Sequence, residues 1–206
     1  DKAFLICYKF NIVLAEDHSS YTAYVNALTW DVISIRTNVR NCGIGTATGT
    51  TFYNGTQTFV TKWTGSIGKY KLYDDCRKIY TYDGGGSPYK DNDNVWTDTD
   101  DREGVSVHWG LQRTFDFFEY AYNLTGVDGF YQQVDALADW TNGNAQWGSN
   151  QVRIGGEGGG FNSYASLDII GHEWTHGVDE YSANLVYQDE SGALDESFAD
   201  IFGTMV

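Results

Sequence analysis

Residues 171–181 have the sequence GHEWTHGVDEY, in which His172 and His176 flank Glu173 at the spacing H-E-x-x-H. On an α-helix, residues four positions apart lie on the same face, so the two imidazoles can bind one metal ion with Glu173 at its edge. Neutral imidazoles are good zinc ligands, and a carboxylate beside a zinc-bound water can accept its proton. The stretch therefore predicts a helix that carries part of a catalytic zinc site. The alternative is three polar residues that are close by chance.

A catalytic zinc site usually has three protein ligands, so one more is needed. A histidine six residues after the second one would give the metzincin arrangement, but Ser182 stands there and excludes it. The segment ALDESFADIFG supplies carboxylates instead, because Glu196 and Asp200 share one face of a predicted helix. We predict that Glu196 binds the metal and that Asp200 accepts the N–H of a ligand histidine. Asp195 is expected to point elsewhere, and an exposed acidic helix face is the alternative.

The composition limits the classes of partner. The 206 residues carry a formal net charge of −15, and 41% of them are apolar. Such a chain can bury a core of one sizeable domain, while its charge repels nucleic acid and anionic membranes. The sequence has no apolar run of the roughly 20 residues that a membrane span needs. We expect a secreted protein, with calcium as a further ligand class and with neither nucleic acid nor membrane as a partner.

The hydrophobic pattern predicts an α+β fold. Alternating residues predict a hairpin or meander over 1–37 and antiparallel strands of one twisted sheet over 50–82, with Asn54-Gly55 as a two-residue turn. The polar segment TNVRNCGIGTATG between these regions is a candidate linker or processing boundary. Apolar residues three and four apart predict helices at 103–123, at 166–181 and from Ala193 onward.

The three cysteines, Cys7, Cys42 and Cys76, are too few for a disulfide scaffold. A single bridge between Cys42 and Cys76 is the preferred pairing. Three buried thiols are an equally good interpretation.

The segment HEWTHGVDEYSANLVYQDESGALDESFADIFGT resembles the thermolysin-like metallopeptidases, whose zinc site has two histidines and one glutamate. The resemblance implies a zincin-like fold with the H-E-x-x-H helix at the floor of the cleft. It implies Glu173 as the general base, Asp200 behind His172, and Tyr187 as a donor to the oxyanion. The implied zinc ligands are His172, His176 and Glu196.

The same resemblance implies further binding positions. NGNAQW is similar to the family's edge strand that pairs with the substrate backbone, with Asn144, Ala145 and Trp147 at the matching positions. GGEGGG resembles its glycine-rich hinge loop. Cleavage before bulky apolar residues of extracellular polypeptides is implied as well. The implied calcium ligands are Asp168, Asp98 and Asp100.

By this resemblance, residues 1–40 correspond to the carboxy-terminal end of a propeptide, which acts as an intramolecular inhibitor or chaperone. Residues 41–206 correspond to the amino-terminal half of a peptidase domain, with the helical carboxy-terminal domain absent. We therefore expect zinc-dependent endopeptidase chemistry. One alternative is a zinc-binding but inactive fragment or a zymogen piece held by its propeptide. A second is a calcium-stabilised binding module that uses exposed aromatic residues.

Overall fold

The computed structural model describes residues 6–13, 20–37, 45–140, 143–157 and 162–206. It contains two compact units, Asp1–Asn41 and Cys42–Val206. None of the helices in the described residues is both long enough and apolar enough to span a membrane.

The part of the first unit that the structure describes is a three-stranded antiparallel meander. Its strands β1 (Cys7–Val13), β2 (Ser20–Asn26) and β3 (Val32–Thr37) pair in that order. Tyr8 and Phe10 lie two residues apart on β1 and therefore point to the same face, where Tyr8 also stacks on Trp30 with ring centroids 5.3 Å apart. The meander that the alternating pattern predicts is thus present.

In its described residues, the second unit combines two five-stranded sheets with three helices, which confirms the predicted α+β class. The helices are α1 (Arg102–Tyr122), α2 (Leu167–Tyr181) and α3 (Asp189–Met205). A 3₁₀ turn, Thr99–Asp101, precedes α1. The strands are β4 (Gly45–Thr50), β5 (Thr56–Thr64), β6 (Lys69–Lys71), β7 (Tyr73–Asp74), β8 (Ile79–Asp83), β9 (Lys90–Asp91), β10 (Val95–Trp96), β11 (Val134–Trp140), β12 (Ala145–Gly148) and β13 (Gln151–Gly155).

The prediction of one sheet over residues 50–82 was wrong. One sheet has the order β10-β4-β5-β6-β9 and the other the order β12-β13-β11-β8-β7, so the chain changes sheets between β6 and β7. Leu72 stands at this change and is fully buried against Phe59 and Trp96 in the core of the first sheet. Burying this side chain removes its apolar surface from water and so stabilises the chain at the change of sheet.

The sequence patterns missed β11, the central strand of the second sheet. It runs parallel to both β8 and β13, and Val134, Ala136 and Ala138 alternate into the core with no exposed surface. The two small alanines make this alternation a weak hydrophobic signal. The strand nevertheless determines where the edge strand β12 lies, because β13 pairs with β11 and β12 pairs in turn with β13.

The helices begin and end close to the predicted positions, except that α3 starts at Asp189 rather than at Ala193. Asp189 and Glu190 lie in its first turn, where the helix dipole favours negative charge. The N–H of Gly192 donates to the carbonyl of Gln188 over 3.1 Å, which closes that first turn. Elsewhere, Cys76 is in a disulfide, and its predicted partner, Cys42, lies outside the described residues.

Helix α1 buries a polar group between the sheets. His108 is completely buried; its Nδ1 lies 2.9 Å from the hydroxyl of Thr81, and its Nε2 lies 2.9 Å from the carbonyl oxygen of Val60. The neutral imidazole satisfies both contacts with one N–H and one lone pair. Burial lowers the pKa of His108 to about 4, because the surrounding protein replaces the water that would solvate the imidazolium.

We expect His108 to make the fold sensitive to acid. The unfolded chain takes up a proton near pH 6.5, but the folded chain does so only near pH 4. The free energy of unfolding should therefore fall as the pH drops below about 6.5, by about 2 kcal/mol at pH 5 for this group. Urea unfolding of the metal-free chain between about pH 7 and pH 5 measures this loss. A His108→Gln variant should be less stable at pH 7, and its free energy of unfolding should change less with pH. If the variant loses as much stability between about pH 7 and pH 5 as the parent does, His108 is not the source of the loss.

Candidate active site

Helices α2 and α3 cross with their backbones in contact. A Cβ atom added to Gly203 would lie 2.5 Å from the carbonyl oxygen of Asp168 and 2.9 Å from the backbone nitrogen of His172. A Cβ added to Gly171 would lie 3.0 Å from the Cα of Gly203. Real Cβ atoms do not approach backbone atoms as closely as one at position 203 would, so glycine is required there, and a Cβ at position 171 would be tighter than ordinary packing. The crossing brings the acidic face of α3 beside the histidines of α2.

His172, His176 and Glu196 form a cluster in which one ligand atom from each lies within 4.8 Å of the other two. The two Nε2 atoms are 3.0 Å apart. Glu196 Oε2 is 3.3 Å from His172 Nε2, and Glu196 Oε1 is 3.8 Å from His176 Nε2. Within the described part of the chain, this is the one group of three or more histidine, cysteine or acidic side chains that can hold a metal ion.

A carboxylate faces the other ring nitrogen of each histidine. Asp200 Oδ1 lies 3.0 Å from His172 Nδ1, and Asp195 Oδ1 lies 2.9 Å from His176 Nδ1. Each carboxylate accepts the Nδ1–H, which leaves a lone pair on both Nε2 atoms. The expectation that Asp195 points elsewhere was therefore wrong. Asp195 is 6% exposed, whereas the side chain of Asp200 is 79% exposed.

The cluster fits a zinc ion. In tetrahedral coordination with Zn–N bonds of about 2.0–2.1 Å, neighbouring ligand atoms are about 3.3 Å apart. The observed separations of 3.0, 3.3 and 3.8 Å bracket this value. Two imidazole lone pairs and a carboxylate that converge on one point repel one another, and a cation at that point removes the repulsion.

Glu173 lies beside the cluster but does not belong to it. It is 5% exposed, and burial raises the pKa of its carboxyl to about 7, with His176 opposing and Glu196 adding to the shift. The backbone N–H of Trp147 donates to this carboxyl and favours the ionised form. A carboxyl with a pKa near neutrality can both accept and release a proton at ordinary pH.

Tyr187 approaches the cluster from the segment that joins α2 to α3. Its hydroxyl donates a hydrogen bond to Glu196 Oε1, and its ring centroid lies 6.3 Å from that of His176. The hydrogen bond to the carboxylate is the main reason that the pKa of Tyr187 is raised to about 12. The residue is 70% exposed, so its hydroxyl stands at the open side of the cluster.

One wall of the cleft is the edge strand β12, which contains Ala145 and Trp147 and directly follows Asn144. The Trp147 indole N–H donates to Glu180 over 2.6 Å. Its ring occupies the space beside Gly177, where an added Cβ would come within 2.8 Å of ring atoms. The N–H of Gly155 on β13 donates to the carbonyl oxygen of Asn144 over 2.9 Å. The strand therefore has its inner edge paired and its outer edge along the cleft.

A pocket of about 250 Å³ opens beside His172. Its lining includes Tyr164 from the segment before α2, Ile169 from α2 and Thr204 from α3. Asn144 and Ala145 close it on the strand side. The pocket thus lies between the edge strand and the metal cluster.

The three aspartates that the sequence suggests as calcium ligands do not join such a cluster among the described residues. Asp168 is exposed and accepts a hydrogen bond from the hydroxyl of Ser166, the N-cap residue of α2, over 2.5 Å. Asp98 precedes the 3₁₀ turn and Asp100 lies within it. Burial raises the pKa of Asp101 to about 6, and the charges of Asp98 and Asp100 add to the shift. Part of the GGEGGG loop, residues 158–160, lies outside the described residues.

The arrangement of the second unit defines a class: an α+β protein with a two-histidine, one-glutamate metal cluster below an edge strand. Residues 46–180 match the family model of the thermolysin metallopeptidase catalytic domain, and residues 183–206 match that of the thermolysin metallopeptidase alpha-helical domain. The chain belongs to the thermolysin metallopeptidase family.

Curated relatives and a solved structure agree. Bacillolysin of Brevibacillus brevis is 38% identical over 173 residues, and the thermostable neutral protease NprT of Geobacillus stearothermophilus is 35% identical over 165 residues. These alignments cover 78% and 74% of this chain but only 32% and 30% of the relatives, so the chain spans about a third of their length. The structure of a precursor of protealysin from Serratia proteamaculans matches with a TM-score of 0.52 and 27% identity, covering 62% of this chain and 42% of that one.

Asp195 should support metal binding as strongly as Asp200 does. Removing the partner of a ligand histidine typically lowers metal affinity by about 10- to 100-fold. We expect this loss in Asp195→Ala, while Asp195→Asn should retain most of the affinity because its amide oxygen can still accept the N–H of His176. Competition with a zinc chelator of known affinity measures the difference. Parent-like affinity in Asp195→Ala would contradict the role that the 2.9 Å contact indicates.

The helix crossing provides a second prediction. Gly203→Ala should push α3 away from α2, because its new methyl group would overlap backbone atoms of α2. We expect a destabilisation of about 1–3 kcal/mol in urea unfolding, the usual cost of overpacking, and a weaker zinc affinity. Gly65→Ala is the matched control, since its added Cβ would meet only Trp63 Nε1 at 3.6 Å. Equal zinc affinity in the two variants would show that the distance between α2 and α3 at this crossing does not determine how the ligand side chains are placed.

Proposed function

We propose that this chain forms the zinc centre of a secreted endopeptidase that hydrolyses peptide bonds of polypeptide substrates. Its zinc ligands would be His172, His176 and Glu196, with Glu173 as the general base. The observation that carries the proposal is the convergence of two Nε2 lone pairs and one carboxylate beside a buried carboxyl whose pKa is near neutrality. Membership of the thermolysin metallopeptidase family supports the reaction class.

Zinc held here would supply a Lewis acid that makes a bound water acidic and polarises the scissile carbonyl. Asp200 and Asp195 keep the two histidines in the tautomer that presents Nε2 to the metal. Glu173 accepts a proton from the attacking water and delivers it to the leaving amine, a transfer for which a pKa of about 7 is well matched. Tyr187 turns its hydroxyl from Glu196 towards the oxygen that becomes negatively charged.

The outer edge of β12 suits a substrate bound as an additional strand. Backbone groups of residues 144–147 would pair with the substrate, and the pocket beside His172 would receive one of its side chains. Ile169 and Ala145 give this pocket an apolar part. That part supports a preference for cleavage before bulky apolar residues.

Three further expectations belong to the same proposal. Asp168, Asp98 and Asp100 would bind calcium together with backbone oxygen atoms. Residues 1–40 would be the end of a propeptide that assists folding or blocks the cleft. In support, the described strands of this region belong to a compact unit of their own, and a protealysin precursor is a structural relative. Secretion would follow from the family and from the acidic composition.

The proposal is tested by metal content together with peptide cleavage. The parent chain should bind one zinc ion, and Glu196→Ala should lose it. Glu173→Ala should keep the zinc but lose cleavage by about a thousandfold or more, because a general base contributes on the order of 10²–10⁴ to the rate. Both are measured on the purified chain, by elemental mass spectrometry and with a fluorogenic peptide, with and without a chelator.

Glu190→Ala is the matched control, because Glu190 is exposed in the first turn of α3. It should retain both zinc and activity. A parent chain without zinc would refute the metal centre. Zinc binding without chelator-sensitive cleavage would instead identify this chain as a metal-binding but inactive part of a peptidase.

A further inference from the structure

The segment before α2 brings a large side chain to the cleft. Tyr164 lines the pocket beside His172 and Glu173, and its backbone N–H donates to the carbonyl of Gly155 over 3.0 Å. Ser163 and Ala165 flank it and are buried. The position of the pocket wall therefore depends on what holds these two neighbours.

Ser163 is held by hydrogen bonds from three directions. Its hydroxyl donates to Glu103 Oε1 over 2.6 Å, and the N–H of Ala165 donates to the same hydroxyl over 3.0 Å. The hydroxyl of Tyr53 donates to the carbonyl of Ser163 over 2.5 Å. Glu103 comes from the first turn of α1, and Tyr53 comes from the turn between β4 and β5. Two distant parts of the fold thus fix one residue of the segment.

Glu103 is an unusual group for such a position. It is 6% exposed, and burying an ionised carboxyl costs free energy unless a cation or several donors compensate it. The charged groups that act on it are the carboxyls of Asp139 and Glu157, and the phenols of Tyr53 and Tyr89 also face it. The neighbouring Arg102 directs its guanidinium to the carbonyls of residues 51 and 52.

These surroundings disfavour the ionised carboxyl. Burial raises the pKa of Glu103 to about 7, the hydrogen bond from Ser163 opposes the shift, and Asp139 and Glu157 add to it. The protonated carboxyl still accepts the hydrogen bond from Ser163 through its carbonyl oxygen.

We propose that Glu103 is a positioning residue for the substrate pocket: it holds Ser163, and so Tyr164, in place while its carboxyl is neutral, and it releases them when the carboxyl ionises. The inference rests on the proposed function only in taking this pocket as the substrate's. Glu103 touches neither the metal cluster nor the pocket, and acts through Ser163.

The direction of the pH effect follows from linkage. A released Glu103 in water has its ordinary pKa of 4.5, whereas the held form has a pKa of about 7. The held form therefore binds more protons between these values. The free-energy advantage of the held form over the released form is complete below about pH 4.5 and is lost as the pH rises through 7.

The amide of Ala165 donates to the Ser163 hydroxyl, so its hydrogen exchange reports directly on whether Ser163 is kept in place. After correction for the intrinsic pH dependence of exchange, the protection factor in the parent should fall by about tenfold or more between about pH 5 and pH 8, since each unit of pKa difference is worth a factor of ten. In Glu103→Gln, whose amide oxygen accepts the same hydrogen bond without titrating, the factor should stay constant.

A second variant keeps the test decisive if Glu103→Gln does not fold. Ser163→Ala removes the hydroxyl and should give low protection of Ala165 at both pH values. Glu190→Gln, which removes an exposed carboxyl on α3, should keep the pH profile of the parent. The proposal would be overturned if the protection of Ala165 in the parent did not change with pH, or if the change persisted in Glu103→Gln. Full protection of Ala165 in Ser163→Ala would overturn it as well.

Peptide cleavage then reports on the pocket. Between about pH 6 and pH 8, the KM of the parent should rise at least threefold more than that of Glu103→Gln, with the ratio of the two kcat values unchanged. A change confined to kcat would show that Glu103 acts on the metal centre rather than on the pocket. The exchange experiment does not require cleavage. A chain that does not cleave peptides can thus still show pH-dependent protection of Ala165, and an active peptidase can show no such dependence.

Discussion

The candidate site depends on the contact between the backbones of α2 and α3. Gly171 and Gly203 remove the side chains that would separate the two helices. Only at this distance can a glutamate and two aspartates of α3 reach histidines that project from α2. A bulkier pair would leave each motif intact in the sequence but would separate the ligands in space. The close approach of the two glycines thus supports the proposed zinc centre, although neither binds the metal.

That contact also concentrates charge. Two carboxylates face the Nδ1 atoms, a third carboxylate faces the Nε2 atoms, and a buried fourth, Glu173, lies next to them. In a chain of net charge −15, this arrangement is electrostatically costly, and the nearest compensation is a cation held between the lone pairs. Burial is the main reason that the pKa of Glu173 is raised, and the charge of Glu196 adds to the shift. The proposed metal ion thus answers the charge of the cluster, whereas the proposed role of Glu173 as a general base rests mainly on its burial.

The sequence predicts the parts of the site that have a helical period. The H-E-x-x-H spacing and the i, i+4 pair on α3 predict which side chains can share a face, and the structure brings those side chains together. Asp195 was misjudged because its direction depends on how α3 crosses α2, which the helical period alone does not contain. The division into two sheets was missed for a related reason. It depends on β11, whose small alanines give little hydrophobic contrast with their polar neighbours in the sequence.

Helix α1 explains why the cleft is tied to the rest of the unit. Its buried positions include Glu103, Ser106, His108 and Gln112, where an ordinary core helix would have apolar residues. These polar groups reach four other segments of the unit. Glu103 contacts Ser163, Ser106 the N–H of Phe52, and His108 the hydroxyl of Thr81, while both His108 and Gln112 contact the backbone of Val60. Apolar side chains can shift slightly against one another and remain packed, whereas a hydrogen bond fixes both the distance and the direction between its two groups. The helix therefore sets the register between the two sheets and the segment that enters α2.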